Sequence, residues 1–85
     1  MAKQNETHDK FNNKLASIIK NRRKELGLTM QQLGELVGRQ KSHICLLESG
    51  EDYMSTRLMF RLFDALDLNF YITPQKAKED EQPNN

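Results

Sequence analysis

The 85-residue chain has one cysteine, no tryptophan and no long hydrophobic run. A single cysteine, Cys45, excludes an intrachain disulfide, so we expect a reducing, cytoplasmic environment. A membrane-spanning helix needs about 20 apolar residues in succession, and no such stretch is present. The first ten residues also lack the apolar segment of a secretory signal. The composition predicts one small domain with a limited core, to which a second subunit would add stability.

The residue types that carry most enzymatic chemistry are scarce as well. The chain has two histidines, and it contains no glycine-rich phosphate loop, no His-Glu-x-x-His pair and no nucleophile elbow. On a helix the side chains of His43 and Cys45 would point about 200° apart, which excludes a shared metal ion. We therefore expect no enzymatic activity, no metal and no cofactor.

Charge is divided unevenly along the chain, although the formal net charge is only +1. Residues 10–48 carry eight basic and three acidic side chains, a net charge of +5, whereas residues 49–85 carry four basic and seven acidic ones, a net charge of −3. A basic N-terminal half is suited to face a polyanion. An ordinary solvated helix surface gives the same pattern, so charge alone does not decide between these two interpretations.

The first predicted helix runs from about Asp9 to Leu26, after a flexible N-terminus over residues 1–8. Gly27 ends this helix, because glycine readily adopts the left-handed conformation after a last helical turn. Its apolar residues follow helical spacing and form the predicted inward stripe: Phe11, Leu15, Ile18, Ile19 and Leu26.

Two short amphipathic helices follow, and they are joined at Gly38. Thr29 begins the first, and Gln32 completes a Thr-x-x-Gln capping box. The second spans roughly Lys41 to Glu48, and Gly38 allows the tight turn between them. The inward positions of the pair are Leu33, Val37, Ile44 and Leu47. The outward positions of the second helix and its start are Gln40, Lys41, Ser42, Cys45, Leu46 and Ser49.

A fourth helix begins after Ser55 as its cap and runs to about Leu66. Met54 and Met59 stand at the two positions of a hydrophobic staple. The inward stripe of this helix comprises Leu58, Leu62, Phe63 and Leu66.

Residues 68–73 change to a period of two, which is typical of a β-strand, and Pro74 ends the pattern. An unpaired strand edge is unfavourable, so we expect this strand to pair with its copy in a homodimer. The alternative is an extended strap over the core of the same chain. The domain thus spans residues 9–74, followed by a disordered tail over residues 75–85. The predicted dimerisation residues are Leu68, Phe70, Tyr71 and Ile72.

The spacing of several of these residues resembles the Cro and repressor (XRE) helix-turn-helix family of phages and bacteria. The matching positions extend over about residues 11–68 and include Leu28, Thr29, Leu33, Gly38, Ile44, Glu48 and Gly50. The resemblance implies an all-α bundle of four to five helices that binds double-stranded DNA. It also implies a homodimeric repressor of transcription on an inverted-repeat operator.

A shorter similarity concerns the C-terminal segment. Leu66-Asp-Leu-Asn-Phe-Tyr-Ile resembles the C-terminal strand of HipB-type antitoxins, whose dimers share a two-stranded sheet. This similarity implies an antitoxin that represses its own operon and binds a HipA-type kinase toxin.

The resemblance places the third helix in the major groove of DNA. Lysine donates to guanine, glutamine pairs with adenine, and Leu46 would touch a thymine methyl group or a protein partner. His43 matches a position near the phosphates, although a partly packed surface histidine is the stronger expectation. Cys45 on this helix is either a redox-sensitive group or a small surface residue. The implied DNA-binding residues are Gln40, Lys41, Ser42, His43, Cys45 and Leu46, with the backbone amides of Met30 and Gln31.

A structural ion pair is expected between Arg23 and Glu48. Arg23 falls four residues after Ile19 on the apolar side of the first helix, where an unpaired charge is costly. In the family this arginine pairs with the glutamate that ends the third helix, and apolar spacing turns Glu48 inward as well. The pair would fix geometry more than it adds stability.

The sequence departs from the family at four positions. Met30 replaces a glutamine that binds the DNA backbone, Gly34 replaces a small alanine at a cost of about 1 kcal/mol, and Gln40 is a poor helix cap. Arg39 stands where an apolar residue often packs. These departures leave a second interpretation open, a protein-interaction module on the same scaffold with only non-specific affinity for DNA.

Overall fold

The structure, a computed structural model, describes the backbone of residues 2–71 and the side chains from residue 8 onward. It contains four helices, α1 (Ala2–Glu25), α2 (Met30–Val37), α3 (Lys41–Ser49) and α4 (Thr56–Ala65). No strand is present in this described part. The all-α, four-helix architecture predicted from the sequence is confirmed, and α2, α3 and α4 lie within about one residue of their predicted bounds.

The start of α1 differs from the prediction. The helix begins at Ala2, whereas the sequence predicted a start at Asp9 after a flexible segment. Residues 2–8 contain neither proline nor glycine, so no residue in them interrupts the helix. The C-terminal end agrees with the prediction, since Gly27 has φ 73° just beyond Glu25.

The buried side of α1 is rotated around the helix from the predicted stripe by about 60°. Leu15 and Ile19 are buried as predicted, but Phe11, Ile18 and Leu26 are 66%, 42% and 42% exposed. The buried residues recur at three- and four-residue intervals and include two polar side chains: Asn12, Leu15, Ala16, Ile19 and Arg23. The prediction was right for Leu15 and Ile19 and wrong for the other three residues, because it followed apolar residues alone and passed over Asn12 and Arg23.

The core lies where α2, α3 and α4 meet α1. The four inward residues predicted for α2 and α3 are all buried, and so are the four predicted for α4. Each fully buried leucine or isoleucine contributes about 1.5–3 kcal/mol of transfer free energy. Met54 and Met59, the predicted staple, are half-buried and pack against this core. The buried cluster consists of Leu15, Ile19, Leu33, Val37, Ile44, Leu47, Leu58, Leu62, Phe63 and Leu66.

Side-chain caps fix the first turns of α2 and α4. Thr29 Oγ1 accepts a hydrogen bond from the Gln32 amide at 3.0 Å, and Gln32 Oε1 accepts one from the Thr29 amide at 2.8 Å. Ser55 Oγ accepts from the Leu58 amide at 3.1 Å. The predicted capping box and the predicted serine cap are both confirmed.

The turn between α2 and α3 comes very close to Gly34. Gly38 adopts the left-handed conformation, with φ 74°, and its amide donates to the Gly34 carbonyl oxygen. The Arg39 amide donates to the same oxygen at 2.8 Å. A Cβ atom on Gly34 would overlap the Arg39 carbonyl oxygen. The sequence predicted only that Gly34 weakens the helix. The structure shows a further role, because the absence of a side chain at Gly34 makes room for the turn.

A side chain of α1 caps the C-terminal end of α4. Arg22 Nε donates to the Leu66 carbonyl oxygen at 2.9 Å, and Arg22 Nη1 donates to Glu25 at 3.1 Å. One side chain thus connects the last turn of α1 to residues 44 positions later.

The chain after α4 folds back onto that helix. Leu68 is half-buried, and its amide donates to the Phe63 carbonyl oxygen at 2.8 Å. The Phe70 ring stacks on Phe60, with centroids 5.7 Å apart, and meets Phe63 edge-on at 5.5 Å. Residues 68–71 form no regular secondary structure. Ile72 and the predicted tail lie outside the described residues, and pairing of this segment between subunits stays a prediction.

No helix in residues 2–71 combines the length and apolar character needed to cross a lipid bilayer.

Candidate nucleic-acid interface

One side of α3 faces solvent along the whole helix. Lys41, Ser42 and Cys45 are exposed, and Leu46 is 41% exposed. Residues 41 and 45, like residues 42 and 46, lie about one turn apart, so their side chains form one continuous surface. Ile44, Leu47 and Glu48 point the other way and are buried. The structure thus brings together on one face the residues that the sequence analysis assigned to base contacts.

The N-terminal end of α3 has free hydrogen-bond donors. Gln40 occupies the cap position, with φ −79° and ψ 157°, but its side chain makes no capping hydrogen bond. The amides of His43 and Ile44 donate to the Gln40 carbonyl oxygen at 3.0 and 3.1 Å. The amides of Lys41 and Ser42 have no acceptor within the helix, as is usual in a first turn. This end of α3 is therefore suited to a ligand that accepts hydrogen bonds.

The start of α2 offers two further amides. Met30 is half-buried and its side chain packs against the core, whereas Gln31 is exposed. Gln32 is engaged in the capping box. An anion at the start of α2 can therefore bind the backbone amides of Met30 and Gln31 and the side chain of Gln31.

His43 is held by the loop that follows α3. Its Nε2 atom lies 3.3 Å from Asp52 Oδ2, and the His43 side chain is 33% exposed. Asp52 Oδ1 in turn accepts a hydrogen bond from the Tyr53 amide at 2.9 Å. Asp52 was not predicted as a partner of His43, since no local pattern in the sequence joins the two residues. Within the described residues, no three histidine, cysteine or acidic side chains lie close enough together to bind a metal ion.

Arg23 and Glu48 form a buried, two-pronged ion pair. Arg23 Nε lies 2.7 Å from Glu48 Oε2, and Arg23 Nη2 lies 3.0 Å from Glu48 Oε1. Their side chains are only 8% and 2% exposed. Arg23 Nη1 also donates to the Leu28 carbonyl oxygen at 2.8 Å. The hydrogen bonds to Glu48 raise the pKa of Arg23, and the pair attaches α3 to α1.

Asn12 is a second attachment of α3 that the sequence analysis missed. Asn12 is only 5% exposed. Its Nδ2 atom donates to the carbonyl oxygens of Gly50 and Asp52, each at 3.3 Å. Gly50, with φ 83°, is the residue that ends α3. The spacing of Asn12 from Leu15 and Ile19 was the available sign that it lies on the buried side of α1.

The basic residues of α1 do not extend the surface of α3. Four exposed lysines of α1 lie, by the 100° helical spacing, around the side away from the core: Lys10, Lys14, Lys20 and Lys24. Near the start of α3 the cationic side chains are Lys41 and Arg39, and Arg39 is half-buried with Nη1 3.2 Å from the Gly38 carbonyl oxygen. The positive charge of the N-terminal half is thus spread over several faces.

A second exposed surface is aromatic and lies at the opposite end of the chain. Phe60, Phe70 and Tyr71 are 49%, 47% and 83% exposed, and the first two stack on each other. Phe70 and Tyr71 belong to the predicted dimerisation segment. Phe60 on α4 was not among the predicted residues, and Leu68 is half-buried against the core of its own chain.

The fold is similar to that of a crystallised regulator. The restriction-modification controller protein C.AhdI from Aeromonas hydrophila superposes with a TM-score of 0.68 and is 26% identical in sequence, and the match covers 73% of this chain and 90% of the controller. No protein-family model and no curated protein matches the sequence. The resemblance to regulators of the Cro/repressor helix-turn-helix type is confirmed, with α2, the turn at Gly38 and α3 as the helix-turn-helix.

Proposed function

We propose that the protein is a DNA-binding regulator of transcription that acts as a homodimeric repressor, with α3 as its recognition helix. The observation that carries this proposal is the exposed polar face of α3 within a helix-turn-helix fold. The similarity to a restriction-modification controller protein supports the same function. A repressor of this kind would occupy a promoter and so exclude the polymerase.

The base contacts come from the N-terminal half of α3. Lys41 donates to the O6 and N7 atoms of guanine, Gln40 pairs with adenine, and Ser42 adapts to either donor or acceptor. Cys45 lies one turn further along the same face, and Leu46 contacts a thymine methyl group. All five side chains have exposed surface, so none has to leave the core to reach DNA.

The phosphate contacts come from backbone amides and from one side chain. The first amides of α2, at Met30 and Gln31, point out of a helix N-terminus, where negative charge is favoured. His43 supplies a further contact while Asp52 holds its ring from behind. Because few lysines lie near this surface, affinity depends on amides and base contacts more than on a large cationic patch.

Two copies of the protein would bind an inverted repeat with their recognition helices in successive major grooves, about 34 Å apart. The exposed aromatic surface of Phe60, Phe70 and Tyr71 is the part of the chain that a second copy would cover. Residues 68–73 would pair across the two-fold axis at this surface. Sedimentation equilibrium of the wild type and of Tyr71→Ser tests the assembly, and a monomeric wild type would contradict it.

An antitoxin role is a narrower form of the proposal. It rests on the similarity of residues 66–72 to HipB-type antitoxins, which predicts a HipA-type kinase toxin as a second partner. Affinity purification from the source cells, followed by mass spectrometry, is expected to recover a larger protein with a kinase fold. If the protein is recovered with DNA and no such partner, the antitoxin role is contradicted and the repressor proposal stands.

The decisive experiment compares Lys41→Ala with Lys14→Ala, a matched loss of one exposed lysine from α1. A duplex selected from random sequence by the wild type, and a shuffled duplex, are titrated by fluorescence anisotropy in about 150 mM salt. We expect the wild type to prefer the selected duplex by about a thousandfold or more. Lys41→Ala should lose about 1–3 kcal/mol on that duplex, and Lys14→Ala almost nothing.

Two outcomes would contradict the proposal. Equal binding of both duplexes, with a steep dependence on salt, would indicate electrostatic affinity alone and favour a protein-interaction module. Equal losses for the two lysine variants would remove α3 as the recognition helix.

A further inference from the structure

Asn12 makes a buried polar contact between the first half of α1 and the end of α3. Its amide nitrogen lies 3.3 Å from the Gly50 carbonyl oxygen and 3.3 Å from the Asp52 carbonyl oxygen. Asn12 is only 5% exposed, so water competes little for these hydrogen bonds. The contact joins residues 38 and 40 positions apart in sequence.

The Arg23–Glu48 pair is a second buried polar attachment of α3 to α1. Asn12 and Arg23 are eleven residues apart on α1, which is about 16 Å along the helix axis. On α3 both attachments lie at the C-terminal end, at Glu48 and Gly50, so Asn12 holds this end from a second point on α1. The attachment at Arg23 holds the last turn of α3, and Asn12 fixes the direction in which that turn ends.

We infer that Asn12 is a positioning residue for the recognition helix: it sets the angle of α3 and so the placement of Lys41 and Ser42 on DNA. The inference rests on the proposed function. Lys41 lies nine residues before Gly50, about 13 Å along α3. A tilt of about 5° at Gly50 would displace Lys41 by about 1 Å, which is enough to spoil directional hydrogen bonds to bases.

The same contact also reaches His43. Asn12 holds the carbonyl group of Asp52, and the carboxylate of Asp52 lies 3.3 Å from His43 Nε2. Loss of the Asn12 side chain would therefore remove one support from both the end of α3 and the acidic residue beside the His43 ring.

The test compares Asn12→Ala with Asn21→Ala, the same change at an exposed asparagine of α1. Binding of the selected and the shuffled duplex is measured at a temperature where circular dichroism shows both variants folded. We expect Asn12→Ala to weaken binding of the selected duplex about tenfold, equivalent to about 1.4 kcal/mol. Binding of the shuffled duplex, which depends mostly on phosphate contacts, should change by less than about twofold.

A double-mutant cycle with Lys41→Ala separates positioning from a general loss of stability. If Asn12 acts by placing Lys41, the second substitution costs less in the Asn12→Ala background than in the wild type. Additive losses, or equal losses on both duplexes, would overturn the inference. If Asn12→Ala melts below the assay temperature, Asn12→Ser replaces it in every measurement.

Hydrogen exchange of the free protein tests the attachment without DNA. The amides of residues 47–52 should exchange at least about tenfold faster in Asn12→Ala than in Asn21→Ala, because local opening becomes easier. Unchanged exchange would overturn the inference even if DNA binding fell. If the wild type shows no preference for any duplex, the proposed function fails, and faster exchange still establishes that Asn12 holds α3.

Discussion

The two helices of the helix-turn-helix are alike in length and in how they end, but they are held in place differently. α2 has eight residues and α3 has nine, and each ends at a left-handed glycine, Gly38 or Gly50. α2 begins with a complete capping box. α3 begins at Gln40 without any side-chain cap, and its polar attachments come from Arg23 and from the distant Asn12.

α2 is stabilised at its start by neighbouring residues, whereas α3 is stabilised by residues that are distant in the sequence. The start of α2 is fixed by residues within one turn, so its first turn forms wherever those residues meet. The start of α3 has no side-chain cap. The helix is held at its other end, where Glu48 and Gly50 bind residues 25 and 38 positions away. An uncapped first turn costs stability but leaves amides and side chains free for a ligand. The uncapped start of α3 thus fits the proposed role of α3 as the recognition helix.

Loss of a long-range attachment should have the largest effect. Glu48→Ala leaves Arg23 buried and unpaired, so we expect the free energy of unfolding to fall by about 3–5 kcal/mol. Urea denaturation followed by circular dichroism measures this change. Glu51→Ala removes an exposed carboxylate three residues later and should change stability by less than about 0.5 kcal/mol. Similar values for the two variants would show that the buried pair does not hold α3.

The next largest effect is expected from steric crowding at the turn between α2 and α3. Gly34→Ala should destabilise the protein by about 1–3 kcal/mol, because its Cβ atom would overlap the Arg39 carbonyl oxygen. An isolated helix would instead gain about 1 kcal/mol from this substitution. Glu35→Ala, at the exposed neighbouring position, serves as the control, and both are compared by thermal melting. A higher melting temperature for Gly34→Ala would mean that the turn can move aside.

The local cap of α2 has a smaller expected effect. Thr29→Ala removes the acceptor for the Gln32 amide and should cost about 1 kcal/mol. Ser55→Ala removes the corresponding acceptor for the Leu58 amide of α4 and provides a matched comparison. Both values come from urea midpoints at constant slope. A cost above about 3 kcal/mol for Thr29→Ala would show that α2 depends on more than its own first turn.

The smallest effect should be a gain. Gln40→Ser places a good capping oxygen before α3, where it can accept from the His43 amide, and we expect about 0.5–1 kcal/mol of added stability. Gln40→Ala is the control without a capping oxygen, and the difference between the two urea midpoints isolates the cap. Equal stability of the serine and alanine variants would indicate that the first turn of α3 is not limited by capping.

Local signals in the sequence were sufficient for most of the fold. Thr29 with Gln32, Ser55 and Gly38 act within one turn of their own positions, and the structure shows each in its predicted role. The attachment through Asn12 was missed because it joins residues 38 positions apart and breaks an otherwise apolar stripe.

Two other differences have equally physical causes. The start of α1 was predicted too late. Residues 2–8 contain no residue that stops a helix, so nothing in this segment separates it from the helical residues that follow. The role of Gly34 depends on how closely the turn at Arg39 folds back, which spacing in the sequence does not reveal. The residues that contact DNA and the dimer interface stay predictions.

Two neighbouring arginines on α1 reach three other parts of the chain. Arg22 binds the carbonyl group of Leu66, while Arg23 binds Glu48 and the carbonyl group of Leu28. The bonds to Leu66 and Glu48 exist only once α3 and α4 have docked, so a partly folded chain gains little from either arginine. Unfolding should consequently be cooperative, with all four helices lost in one transition. A peptide limited to residues 28–50 would lack both arginines, so we expect that it does not keep the arrangement that α2 and α3 have in the domain.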